Sequence, residues 1–282
     1  ASGYHTTINT VYPYEAKTNS KSPIKRYALT RDSLGYITSI SYHENNSNNI
    51  YSSRITDSDG IHKVVFENDS LGRIIISTYY DLDGNVTQRK DGVAIKKYEY
   101  DDWGNISTLK FYSASGKYTM NSRMYSKITN ECDAWGNIVK EQFYDQNEKL
   151  CYNSDNAAQR IIEYDKKGFP LSISILDANG KPWVGKEDYS KVYIKCDNRG
   201  NQIENNYEGI SGKPCTNAGG YASITVEYDR WGHPTHQAIY SIDGYLTNYK
   251  DGTSGWNAVY DDVGNTTKVS YFGADWNVCS NN

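Results

Sequence analysis

The chain has 282 residues, 30 basic and 34 acidic side chains and a net charge of −4. That balance offers no basic footprint, so nucleic-acid recognition is not expected. Only 37% of the residues are apolar, and no run approaches the ~20 apolar residues of a membrane helix, so membrane insertion is not expected either. Phenylalanine is scarce (five) while tyrosine is abundant (27). A tyrosine-rich chain punctuated by Asp and Gly suits shallow, half-buried β-surface better than a deep helical core.

Residues 1–22 fall outside the pattern that follows and read as an N-terminal cap, since the end of a stacked array needs a different outer face. Ala1-Ser2-Gly3 would suit the start of a mature secreted chain. Residues 23–282 read as one repeat array. Its units are centred on Gly35, Gly72, Gly104, Gly136, Gly168, Gly200, Gly232 and Gly264, and from Gly72 onward the step is 32 residues. The interval from Gly35 to Gly72 is longer, at 37 residues. A fixed period in this range marks a repeat architecture.

Each repeat shows two strand patterns and two turns. Tyr221–Tyr228 alternates, with Ile224, Val226 and Tyr228 on one face, as a half-buried strand does. An Asp-x-x-Gly turn follows: Asp101/Gly104, Asp133/Gly136, Asp165/Gly168, Asp197/Gly200, Asp229/Gly232 and Asp261/Gly264. Asp in the first position accepts backbone N–H groups, and Gly in the fourth tolerates positive φ. A second strand such as Ile138–Tyr144 leads to a second turn twelve residues after the first glycine, at Gly84, Gly116, Gly180, Gly212 and Gly244. In two copies Glu148 and Trp276 take the glycine's place. A connector then reaches the next repeat. The expected fold is all-β: about eight hairpin repeats in an open twisted spiral, with a closed propeller-like ring as the alternative.

Cys132 and Cys196 occupy the slot that holds Tyr in other repeats, and Cys151 and Cys215 both fall 15 residues after a repeat glycine. These matched slots suggest Cys132–Cys151 and Cys196–Cys215 disulfides in an exported chain, with Cys279 left over. The alternative is five reduced, buried thiols. The absence of C-x-x-C argues against zinc, and the H-x-x-H of His233 and His236 would point to opposite faces of a strand. Asp81-Leu82-Asp83-Gly84-Asn85 lacks the rest of a calcium loop and reads as a turn. No metal, cofactor or catalytic residue is therefore expected.

Trp103, Trp135 and Trp231 each precede a turn glycine, with Trp183 and Trp256 in the connectors. Rings at hairpin tips could stack on sugars or on a partner's aliphatic surface, or fold back to cover a neighbouring tyrosine.

The blocks Tyr228-Asp229-Arg230-Trp231-Gly232, Gly220-Tyr221-Ala222 and Gly180-Lys181-Pro182 or Gly212-Lys213-Pro214 resemble the YD repeats of bacterial Rhs proteins and teneurins over about residues 24–280. The period here is longer than in that family. The resemblance implies a spiral of β-hairpins on an exported or cell-surface protein, with no family catalytic residue to carry over. The expected function is a non-enzymatic, extracellular module for binding or display. Its partner would be a glycan or a protein; the alternative is a purely structural spacer or shell segment of a larger protein.

Overall fold

A computed structural model describes residues 4–8, 26–43 and 54–279. Every regular element among them is a β-strand. In chain order these are β1 (Tyr4–Ile8), β2 (Arg26–Arg31), β3 (Ile37–His43), β4 (Lys63–Asn68), β5 (Ile74–Tyr80), β6 (Ile95–Tyr100), β7 (Ile106–Tyr112), β8 (Lys127–Cys132) and β9 (Ile138–Tyr144). They continue as β10 (Gln159–Tyr164), β11 (Pro170–Leu176), β12 (Lys191–Cys196), β13 (Gln202–Glu208), β14 (Ser223–Tyr228), β15 (Pro234–Tyr240), β16 (Gly255–Tyr260), β17 (Thr266–Phe272) and β18 (Val278–Cys279).

The chain forms two compact units, one of residues 1–129 with 144–149, the other of 130–143 with 150–282. In the first, β1 to β8 pair consecutively and antiparallel. In the second, β9 to β18 do the same. Among the described residues, no pairing within either unit leads back to its first strand, so each is an open stack of hairpins. Of the expected cap, Tyr4–Ile8 is strand β1 and pairs with β2; the rest of residues 1–22 lies outside the described residues.

The first turn of every repeat has one geometry. In the turn before β7, Gly104 N–H donates to the Asp101 carbonyl at 3.1 Å and Asp101 N–H to the Asn105 carbonyl at 2.9 Å. Gly104 has φ +90°, and the strand register shifts between Glu99 and Tyr100. This is a type I turn closed by a bulge at a left-handed residue. The second turn repeats it, with Glu148 (φ 60°) and Trp276 (φ 64°) left-handed where the glycine is missing.

The connector is more ordered than its sequence suggests. Twenty residues after each of the six repeat glycines from Gly72 to Gly232 lies a third turn with the same hydrogen bonds, ending on Gly92, Met124, Asn156, Asp188, Gly220 or Gly252, and Gly60 ends its counterpart in the first repeat. These third turns also bond to one another: Ser122 N–H reaches the Asp91 carbonyl, Lys186 the Asp155 carbonyl and Ala218 the Glu187 carbonyl, each at 2.9 Å.

Two residues further on, a small buried residue joins one repeat to the next: Ala94, Ser126, Ala158, Ser190, Ala222 and Ser254. Ala158 N–H donates to the Leu176 carbonyl, and its own carbonyl accepts from Phe143 N–H. The close approach of two strands favours a small side chain in these six copies. In the first repeat His62 takes the slot with the same backbone bonds, to the Tyr80 carbonyl and from Tyr42 N–H, and its ring Nδ1 lies 2.9 Å from the Ile55 carbonyl. The core lies alongside, under Tyr79, Phe111, Phe143, Ile175 and Ile239, all at the seventh position after a repeat glycine. Ile61, Val93 and Tyr125, one residue after the third turn, are buried beside this row; Ile61 packs in one cluster with Tyr79 and Val64, and the Phe111 and Tyr125 rings meet at 5.7 Å. The longer first interval is also located: the bridge His43↔Arg54 spans five more residues than its counterpart Tyr80↔Val86, so the extra residues fall between His43 and Arg54.

Candidate functional site

The turn tips are built by the aspartates. In all eight first turns the Asp Oδ1 accepts from the backbone N–H groups two and four residues on. In four of them an Asn amide also donates to Oδ2, as Asn105 does to Asp101 at 2.9 Å. That amide, together with the backbone donors, holds the Asp101 carboxyl below the usual carboxylate range despite an opposing desolvation cost. The carboxylates thus face into their turns. Asp81 behaves identically in a second turn, accepting from Asp83 and Asn85, which is simple turn chemistry.

With the backbone so fixed, the residue before the glycine points outward. Trp103 is 86% exposed, Trp135 81% and Trp231 60%. The same turn position holds Leu34 and Leu71, both exposed, in the first unit, and Val263 in the second. Consecutive tips within a unit are two strands apart, about 10 Å. The Arg230 guanidinium carbon lies 3.9 Å from the centre of the Trp231 ring, a cation–π contact that limits the indole's motion.

Trp183 and Trp256 do not join this row. Trp183 follows a second turn and packs against Tyr152 at 5.3 Å. Trp256 is half-buried in β16, opposite Gln237 and Tyr271. Trp276, noted in the sequence only as a replaced turn glycine, is a further exposed indole that was not among the candidate ring contacts. It stacks on Phe272 at 5.0 Å and 17°, and His236 lies parallel to Phe272 at 5.3 Å and 3°. His233 is engaged elsewhere, with Nδ1 3.0 Å from Asp229 Oδ2 and its ring stacked on Tyr260.

The two expected disulfides are not formed; none of the five cysteines is in a disulfide. Cys196 pairs with Gln202 at the start of β13, whereas Cys215 N–H bonds the Tyr207 carbonyl near its end. Five residues of strand separate them, about 17 Å, far beyond the ~7 Å Cα limit for a disulfide. Cys132 and Cys151 occupy the same two slots, and Cys151 N–H likewise bonds Phe143 at the far end of β9.

The second unit also holds an open recess of ≈ 330 Å³ over Ile162, Ile173 and Ile175, rimmed by Arg160, Glu141 and Tyr189 among others. Arg160 is fixed there by Asp155 at 2.5 Å and Glu141 at 3.4 Å. The recess arises where the aromatic row is interrupted: Ile175 stands where neighbouring repeats carry Phe143 and Tyr207.

No family model matches the chain, and neither does any curated protein. Among solved structures it is similar to the crystal structures of TcdB2-TccC3-Cdc42 (14% identity, TM-score 0.38, 91% of this chain and 15% of that one) and TcdB2-TccC3 (14%, 0.37, 97% and 17%). It is also similar to a porin-like protein from Bacteroides uniformis (11%, 0.27, 82% and 90%). The chain thus spans about 15% of the first of these toxin chains. The fold assignment rests on the strand pairing above, independently of these likenesses.

Proposed function

We propose that this chain is a non-enzymatic display module that works outside the cell or at a cell surface, presenting the ring-bearing turn tips to a glycan. The observation that carries this reading is the exposure of Trp103 and Trp135 (86% and 81%). Burial of a large apolar side chain stabilises a fold by ~1.5–3 kcal/mol. An indole held out on a rigid turn forgoes that gain, and stacking on a ligand would recover it. A second reading, a rigid spacer without a ligand, is favoured by the bonds that join each repeat to the next, such as Tyr228 Oη to the Gln202 carbonyl at 3.1 Å.

A glycan-array screen with the wild-type chain and the Trp103→Ala, Trp135→Ala and Trp231→Ala variants separates the two. Display predicts binding to one sugar class, a change in indole emission on adding the free sugar, and weaker binding in at least one variant with thermal stability unchanged. Silence across the array would leave the spacer reading.

A further inference from the structure

The eight tips differ in the two residues between the turn Asp and its glycine, and the differences are grouped. In the first unit these pairs are Ser33-Leu34, Ser70-Leu71 and Asp102-Trp103, with no cation. In the second they are Ala134-Trp135, Lys166-Lys167, Asn198-Arg199 and Arg230-Trp231, then Asp262-Val263. Four consecutive tips therefore run indole, two ammonium groups, guanidinium, guanidinium with indole. All six side chains are exposed.

Charge neutralisation within the tips is incomplete because the two signs face opposite ways. Asp133, Asp165, Asp197 and Asp229 turn Oδ1 inward onto their own backbone N–H groups. Asn137, Asn201 and His233 occupy the second oxygen of three of them. The cations stand outside, and among the described residues none of the four is in a salt bridge. The Arg199 guanidinium donates to the Arg230 carbonyl of the next tip, which links two adjacent tips and fixes their spacing. The bases and rings lie in one line, with about 10 Å between tips.

We propose that the tips from Trp135 to Trp231 bind an acidic glycan: the two indoles stack on sugar rings, while Lys166, Lys167, Arg199 and Arg230 pair with carboxylate or sulfate groups between them. The proposal rests on the display reading above and narrows its ligand class. Rings alone would suit a neutral sugar, and cations alone would suit any polyanion. Rings at the two ends of the row with cations between them suit a chain that offers ring faces and charges along its length. Single-stranded nucleic acid shares that description, and the oligothymidylate arm of the test separates the two.

The test is binding of the full chain to polygalacturonate, a uronate polymer, by calorimetry, beside neutral dextran and galactan and an oligothymidylate. The expected result is binding to polygalacturonate that weakens with added salt. The double variant Lys167→Glu with Arg199→Glu should weaken it by about tenfold or more, as loss of charged hydrogen bonds would. Trp231→Ala should weaken it too, and circular dichroism should show both variants folded. Binding of a neutral polymer that charge reversal leaves untouched would overturn the acidic ligand and leave the display reading standing. Tighter binding of oligothymidylate would overturn the glycan. No binding to any polymer in the set, with the glycan array also silent, would overturn both.

Discussion

The Tyr260 hydroxyl donates to the Pro234 carbonyl at 2.9 Å, 26 residues back and one repeat away. Tyr100 reaches Ile74, Tyr164 reaches Ile138 and Tyr228 reaches Gln202 by the same step. The tyrosine of each of these four first-turn Tyr-Asp pairs is thus an inter-repeat tie, while its aspartate builds the turn. Tyr260→Phe keeps the ring and leaves the carbonyl without this donor. The expected loss is about 1 kcal/mol of stability, read by urea denaturation. Tyr164→Phe and Tyr228→Phe, which share no partner, should add when combined.

The turn glycines serve two purposes that substitution can separate. Gly72 has φ +81°, and a Cβ there would fall 2.2 Å from Cε1 of Tyr36 in the preceding repeat. Gly35 has φ +89° with nothing within 4 Å. Gly35→Ala should cost only the left-handed strain, about 1–2 kcal/mol. Gly72→Ala should cost clearly more, because the aromatic ring must also move. Equal melting temperatures for the two variants would show that the Tyr36 ring yields freely. Conversely, Asp188→Gly relieves a non-glycine residue at φ 62° and should raise the melting temperature.

The period of 32 carried most of the fold, since a glycine required by positive φ recurs wherever the turn recurs. The third turn was not legible. Its left-handed residue is Gly92, Gly220 or Gly252 in some repeats but Met124, Asn156 or Asp188 in others, so no residue type marks it; the hydrogen bonds between successive repeats hold it in place. The exposure of Trp103 follows from its slot before the turn glycine. Trp183 and Trp256 showed no such slot, and their surroundings depend on strand register. The cysteine reading failed for a related reason: matching positions along the sequence say nothing of which end of a strand each occupies.

Acid should loosen the turns. The Asn amides that bond Asp101, Asp133, Asp197 and Asp261 are the largest influence holding these carboxyls below their ordinary value. A group whose folded value is depressed stabilises the fold above its unfolded value, near 3.9 for Asp, and loses that contribution as pH falls through the folded one. The melting temperature should therefore be flat from neutral pH to about 5 and fall below about 4. An Asp101→Asn, Asp133→Asn variant should start lower at pH 7 and show a smaller acid drop. An unchanged acid drop would assign the effect to other carboxylates.

The thiols should behave as five separate groups under oxidising handling. Cys196 and Cys215 lie at opposite ends of β13, and burial pushes both thiols up from their ordinary value. A raised value lowers the thiolate fraction at neutral pH and with it the rate of oxidation. Chain purified without reductant, unfolded in guanidinium and alkylated should gain five adducts in its intact mass. Reductant should leave the melting temperature where it was. A gain of three adducts, with loss of stability on reduction, would instead require Cys196 and Cys215, or Cys132 and Cys151, to bridge about 17 Å of strand, which only a different register of that hairpin would allow.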